Sequence, residues 1–246
     1  MLFRSIVAFK KYVLENSIAD DTVSLPVNFV DVQRIAVDHG IYNFALILKD
    51  LNCADTSRLS HSEIIAIDFS DTVPVFSGIE PVESMRPAEM DGSLVKSGME
   101  IIPYVSSFYP RNMDKISFYS ELYGIDKAVG AGNDFLLVYF LEENITRVRL
   151  TEFSRFKKMK AEKVVGFAGE LNIKSLPSGT YVLVLEARDR ENKVLAVRKS
   201  LVQRSNPGVE PVVDFNPMEQ GAENFFREIV NIDSLSFFIK SIYPIS

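Results

Sequence analysis

Apolar and polar residues alternate with a period of two along much of the second half of the chain, a pattern typical of antiparallel strands that bury one face. Six such segments are separated by glycine, proline, asparagine and serine, the residues that turns favour. The predicted strands are 116–123, 135–141, 147–153, 165–173, 180–187 and 194–203. About seven short strands in about 90 residues are typical of one immunoglobulin-like sandwich.

One segment of the chain recurs at an offset of 139 residues, since 40–50 aligns with 179–189. In both copies a turn is followed by Gly-x-Tyr and an alternating strand that ends at an aspartate. This is the pattern of a late hairpin in many immunoglobulin-like and fibronectin-like domains. We expect Tyr42 and Tyr181 to anchor a corner, each with its ring packed inside and its hydroxyl bonded to backbone.

The repeat predicts two tandem sandwiches, 1–72 and 113–206, joined by a connection at 73–112 that is rich in Pro, Gly, Ser and Met. The strands expected in the first are 3–14, 25–37, 41–49 and 63–69. Only 39 residues precede Gly40. The first sandwich is therefore predicted to be N-terminally incomplete, either circularly rearranged or cut from a longer chain.

The C-terminal segment 207–246 has a different pattern, in which apolar residues recur at helical spacing. It predicts two short helices with much apolar surface, which needs burial against the sandwiches, a partner or further chain. The candidate partner-binding residues of this tail are Leu235, Phe237, Phe238, Ile239 and Ile242. The fold class is thus mainly β: two tandem immunoglobulin/fibronectin-like antiparallel sandwiches with a short C-terminal helical tail.

Composition argues against several kinds of site. A net charge of −6 argues against nucleic-acid binding by bulk charge. Cys53, His39 and His61 are the only cysteine and histidines, too few for a multi-ligand metal site. Gly130 and Gly132 precede a strand and not a helix, so they do not predict a phosphate cradle. We predict no catalytic, cofactor-binding or metal residues, and no enzyme activity.

A basic run is the most distinctive charged feature of this acidic chain. It contains Arg147, Arg149, Arg155, Lys157, Lys158 and Lys160. These cations either dock an acidic partner or protect an edge strand against pairing with another sheet, and the second interpretation is favoured. Phe153 and Phe156 interleave with them and are expected to pack inward.

The order of four segments resembles the tandem sandwich region of GWxTD-domain proteins, a family of Gram-negative envelope proteins. The segments are 96–103, 118–123, 176–183 and 235–244. The resemblance implies an extracytoplasmic location, in the periplasm or at the outer membrane, and a scaffold role. The chain has no tryptophan, so the domain that carries the Gly-Trp-x-Thr-Asp motif is absent from it.

No apolar run is long enough to span a membrane, and no signal peptide is present in the chain as given. The function expected is a non-enzymatic binding or scaffolding module of the bacterial cell envelope. Its partners would be proteins of an envelope assembly or a missing C-terminal domain, engaged through strand edges and the apolar tail. The alternative is a carbohydrate-binding module or an accessory domain of a carbohydrate-active enzyme, which predicts exposed aromatic rings in a groove beside paired carboxylates.

Overall fold

The computed structural model describes residues 5–14, 31–51, 58–67, 73–92 and 94–210, and the fold there is mainly β. One short helix, α1 (Ile125–Val129), interrupts the strands. In chain order the described strands are β1 (Gly40–Lys49), β2 (Arg58–Ile67), β3 (Val75–Phe76), β4 (Glu80–Pro87), β5 (Val95–Lys96), β6 (Met99–Pro103), β7 (Phe108–Tyr109), β8 (Lys115–Tyr123), β9 (Asp134–Glu143), β10 (Arg149–Lys160), β11 (Val164–Asn172), β12 (Gly179–Arg188) and β13 (Val194–Arg204).

Two sheets enclose the main core. The five-stranded sheet has the order β10-β9-β12-β13-β7, and the six-stranded sheet has the order β11-β8-β4-β6-β5, with β3 paired to β8. All pairs are antiparallel except β13 with β7. Alternate residues of the long strands face inward, which is why Phe118, Leu122, Leu137, Leu141 and Leu183 form one buried cluster.

The six strands predicted between residues 113 and 206 are present as β8 to β13, although β10 runs seven residues past the predicted end at 153. Segment 73–112, expected to be a connection, supplies β3 to β7 to the same two sheets. Phe76, Val82, Ile101 and Tyr109 from this segment are buried. The segment is therefore part of the sandwich. Its strands β3 and β4 pair with β8, and its strand β7 pairs with β13.

Two buried polar side chains at the end of β13, Arg204 and Asn206, hydrogen-bond neighbouring turns. The Arg204 Nη1 donates to the carbonyls of Pro110 and Met113, at 2.7 Å each. The Asn206 amide donates to the carbonyls of Lys174 and Leu176, at 2.9 Å each. Burial lowers the pKa of Arg204 from its ordinary value. These bonds satisfy backbone carbonyls of two turns that lie outside the strand ladders.

The sequence repeat has a matching local structure. The Tyr42 hydroxyl donates to the carbonyl of Asp38 at 2.8 Å, and the Tyr181 hydroxyl donates to the carbonyl of Pro177 at 3.1 Å. Both tyrosines thus bond backbone four residues upstream, as predicted. Tyr181 is also buried in the core, whereas Tyr42 is only half-buried, so the predicted packing of the ring is found at Tyr181 alone. A Cβ on the glycine two residues before either tyrosine would lie 3.1–3.2 Å from its hydroxyl, so glycine allows the ring to fold back at both corners.

The first predicted sandwich is described only in part. β1 and β2 form a separate two-stranded sheet with a regular register from Gly40↔Ile67 to Lys49↔Arg58. Within the described residues 5–14 and 31–37 there is no strand, in contrast to the prediction. No described strand pairs with these segments, and most of their side chains are exposed. The predicted helical tail from 211 onward, including Leu235, Phe237, Phe238, Ile239 and Ile242, lies outside the described residues.

Candidate binding site

The basic run lies at one border of the five-stranded sheet. β10 is the edge strand of that sheet and carries Arg149, Arg155, Lys157, Lys158 and Lys160. Arg147 lies in the turn before it, with a positive φ of 60°. The edge position predicted by the protective interpretation is therefore what the structure shows.

Several of these cations are paired with the neighbouring strand β9. The Lys158 and Lys160 ammonium groups lie 2.9 and 2.8 Å from the Asp134 carboxylate. Their hydrogen bonds, that of Lys160 first, lower the pKa of Asp134 to about 2. The Arg149 guanidinium lies 4.1 Å from the centre of the Phe140 ring, a cation–π contact.

Two further cations of β10 occupy positions on the core side. Arg155 lies opposite Tyr139, and Lys157 lies opposite the buried Leu137. Residues directly opposite in an antiparallel pair share a face, so both charges point to the side of the core while remaining exposed. An added strand would bury them, which is how inward-pointing charges prevent sheet-to-sheet association.

The two phenylalanines of the run separate. Phe153 is buried, but Phe156 is 77% exposed, so the prediction that both pack inward is wrong for Phe156. Phe156 lies opposite Val138, on the outer face of the sheet. Because the two phenylalanines are three residues apart, alternation along a strand already places them on opposite faces, so only one of them can pack inward.

β13 has the same protection. Its pairing with β7 covers only Gln203 and Arg204, which leaves most of its outer edge without a described partner strand. Arg198 lies opposite Leu185, a fully buried core residue. Its exposed guanidinium therefore occupies a core-side position on this edge.

β11 is the long edge strand without such protection. All nine of its residues pair with β8 on one side, and no described strand pairs with the other. Its core-side positions are Val165, Phe167, Gly169 and Leu171, all apolar, and Glu170 is its only charged residue. A long edge with no charge at its core-side positions can accept another strand.

A polar groove of about 690 Å³ lies on the outer face of the six-stranded sheet. The polar residues that line this groove are Arg34, Ser77, Glu80, Lys96, Tyr119 and Glu121. Lys96 and Glu80 form an ion pair across β5 and β4. Arg34 reaches the groove from outside the sandwich strands and donates to the carbonyl of Val95 at 3.0 Å.

A relay of hydroxyl groups ends at the Glu121 carboxylate in this groove. The Tyr119 hydroxyl donates to Glu121 at 2.9 Å, and the Tyr123 hydroxyl donates to its other oxygen. Because the Tyr119 proton is used in this way, the Ser97 hydroxyl donates to Tyr119 across 2.8 Å. A Cβ at Gly166 would lie 2.7 Å from the Tyr119 hydroxyl and 2.4 Å from the Ser97 oxygen. Glycine on β11 thus leaves the room that the relay occupies.

Burial keeps both phenols protonated. Desolvation, with the nearby Glu121 charge, raises the pKa of Tyr119 to about 12 and raises that of Tyr123 as well. Both hydroxyls are therefore hydrogen-bond donors throughout the neutral range. The Tyr119 ring itself is only 4% exposed, with the Lys96 ammonium 5.7 Å from its centre.

The cysteine and the two histidines considered as metal ligands are described only in part. His61 lies exposed on β2, 3.8 Å from Glu63, while Cys53 lies outside the described residues. Within the described part of the chain, no three His, Cys, Asp or Glu side chains are grouped as metal ligands. In the same residues no helix is both long and apolar enough to cross a bilayer.

The polar groove and the β11 edge are absent from the sequence predictions. The groove joins side chains from β3–β4, β5 and β8 with Arg34, which precedes Glu121 by 87 positions in the sequence. No local spacing reveals such a site. One feature of the sequence could have indicated the β11 edge. The segment 164–169 combines β-branched and aromatic residues with two glycines and has no charge.

Comparison with known proteins assigns no family to the chain. No family model matches it, and no curated protein matches it. A glycosyl hydrolase family 2 member from Bacteroides cellulosilyticus matches 37% of this chain at 15% identity, with a TM-score of 0.27. The extracellular domain of a protein described as a hybrid two-component system, from B. thetaiotaomicron, matches 65% at 15% identity, with a TM-score of 0.25. The matched part is 13% and 19% of those two chains, and neither likeness assigns an activity.

Proposed function

We propose that this protein is a non-enzymatic binding module that engages a protein partner by accepting an extended strand along β11. The observation that carries the proposal is the contrast between its edges. β10 and β13 carry cations at core-side positions, while β11 carries apolar residues there. Edge strands are a hazard that proteins suppress, so an edge left open beside two protected ones indicates a pairing surface.

Strand addition would supply both affinity and specificity at this edge. The backbone groups of β11 that point away from β8 form ladder bonds with the incoming strand. Alternate side chains of that strand extend the outer face and the core face of the six-stranded sheet. The basic strand β10 is then a protected edge, and its cations are not the main contact with the partner.

The cell envelope is the proposed location, supported by the resemblance to GWxTD-domain proteins. The helical tail, as a second contact for a partner or a missing domain, also stays a prediction. The carbohydrate alternative predicts exposed aromatic rings, whereas the one aromatic ring lining the polar groove among the described residues is the nearly buried Tyr119. It therefore ranks second.

A matched pair of lysine substitutions tests the proposal. Val164 on β11 and Val197 on β13 are 43% and 47% exposed, so Val164→Lys and Val197→Lys add the same charge to similar sites. Affinity capture from envelope extracts should recover a partner with the wild type and with V197K, and lose most of it with V164K. Amide exchange of β11 should slow in the captured complex, because new ladder bonds protect its amides.

Two results would overturn the proposal. One is equal recovery of the partner by both variants, since a lysine on the pairing edge should interfere. The other is a complex in which the β11 amides exchange as fast as in the free protein.

A further inference from the structure

The polar groove has the volume of a small-molecule site. Its volume of about 690 Å³ lies within the range of about 300–1,000 Å³ that is usual for such sites. Apart from Arg34, its polar groups come from β3–β4, β5 and β8, so a ligand there would mainly contact strands of the sheet. It lies on the face of the six-stranded sheet, whereas strand addition would use the edge.

Charges in the groove are balanced. The two cations Arg34 and Lys96 are matched by the two carboxylates Glu80 and Glu121. Lys96 is paired directly with Glu80. A site of this kind offers no net charge to attract a strongly anionic or cationic ligand, and desolvating its ion pair for such a ligand would be costly.

Hydrogen-bonding groups of both kinds remain for a neutral ligand. The Glu121 carboxylate accepts from two phenols, while an ionised carboxylate has about four acceptor sites. The two phenols fix its orientation before any ligand arrives, which lowers the entropic cost of binding. Lys96, whose ammonium group has three N–H donors, contributes donors to the same groove, and Ile79, Pro81 and Val95 contribute an apolar surface.

From this inventory we propose that the polar groove binds a neutral, polyhydroxylated ligand of one or two sugar rings. Vicinal hydroxyls of the sugar would donate to Glu121 and accept from the cations, and its C–H face would pack on the apolar residues. Ser97, Tyr119 and Tyr123 are positioning residues, because they act through the Glu121 carboxylate. Recognition depends on hydrogen bonds and not on aromatic stacking, so the affinity expected is modest, with Kd on the order of millimolar.

The full chain can be titrated with neutral probes and followed by amide chemical shifts. The probes are glucose, galactose, N-acetylglucosamine and cellobiose, with glucuronate and glucosamine as charged counterparts. At least one neutral probe should give saturable shifts at β4, β5 and β8 and bind more tightly than both charged probes. Glu121→Gln should weaken binding about tenfold, since it replaces charge-assisted hydrogen bonds by neutral ones. Tyr119→Phe should weaken it less.

Glu170→Gln is the matched control, because Glu170 lies on the outer face of the same sheet, paired with Lys115, and outside the groove lining. The affinity of the E170Q variant for the neutral sugar should equal that of the wild type. Sugar binding is followed at β4, β5 and β8 and strand addition at the β11 amides, so the two proposals can fail separately. The absence of saturable shifts with every neutral probe would overturn the sugar-binding proposal, as would tighter binding of a charged probe or an equal loss in E121Q and E170Q.

Discussion

Gly169 shows how strongly a single missing side chain can be required. A Cβ at this position would lie 2.3 Å from the Phe118 Cζ and 2.7 Å from its Cε1. Phe118 is 1% exposed and packs edge-on against Tyr139 and Phe167, so its ring has little room to move. Glycine here is a packing requirement, since the backbone conformation itself is open to any residue.

Gly169→Ala is therefore expected to destabilise the fold by about 1–3 kcal/mol through overpacking, measured as the free energy of unfolding in urea. Gly78→Ala is the control, because nothing lies within 4 Å of a Cβ there. That variant should be neutral or slightly stabilising, since alanine restricts the unfolded chain. Equal stabilities for the two variants would show that the Phe118 ring can shift.

The ion pairs between β9 and β10 make a pH-dependent contribution at the scale of elements. The Asp134 pKa is lowered to about 2 from an ordinary 3.8, so the unfolded state binds more protons between these values. The stabilisation is fully present above about pH 4 and is lost as the pH falls toward 2. Because the pair is exposed and screened by salt, its size is small.

Asp134→Asn should lower the urea midpoint at pH 7, and the difference from the wild type should vanish as the pH approaches 2. High salt should also reduce it. Asp91→Asn, at an exposed loop position, should leave the midpoint unchanged. A wild-type advantage that persists at pH 2 would mean that the Asp134 side chain stabilises by packing and not by charge.

Elements differ in how far the sequence predicts them. The strands β8 to β13 are nine to twelve residues long. Their alternation of apolar and polar residues therefore predicts a strand with one buried face. β3, β5 and β7 have two residues each, too few for any period. They form because neighbouring strands offer unpaired backbone N–H and C=O groups to them. This depends on the tertiary fold and not on the local sequence.

The proposed binding surfaces are harder to predict than the long strands, because they too depend on the tertiary fold. The basic run was recognisable as an edge feature because lysine and arginine are rare at core-side positions. That β11 is an open edge follows only from the order of strands in the sheet, and the polar groove only from the registers of β4, β5 and β8. Neither quantity is encoded in a local window of sequence.

At the scale of the whole molecule, the sandwich uses strands from both sides of residue 113. Val75 and Phe76 pair with Tyr123 and Leu122, and Phe108 and Tyr109 pair with Gln203 and Arg204. Arg204 also needs the carbonyls of Pro110 and Met113. The cooperative unit is therefore expected to begin near residue 73.

A fragment of residues 73–210 should unfold in one cooperative transition with dispersed amide resonances. A fragment of residues 113–210 should not fold, because it removes Phe76 and Tyr109 from the main core and takes from Arg204 the carbonyl of Pro110. Cooperative folding of the shorter fragment would instead support a domain boundary at 113.

The uneven protection of the edges also limits how large an assembly can grow. A continuous sheet extends indefinitely only when every molecule offers two open edges, one for each neighbour. Among the described strands of the sandwich, β11 is the single long open edge, and the others are closed with charge or with strands of two residues. Strand pairing through the sandwich alone would therefore end after one partner, so growth into a fibre would also have to use the separate β1–β2 sheet.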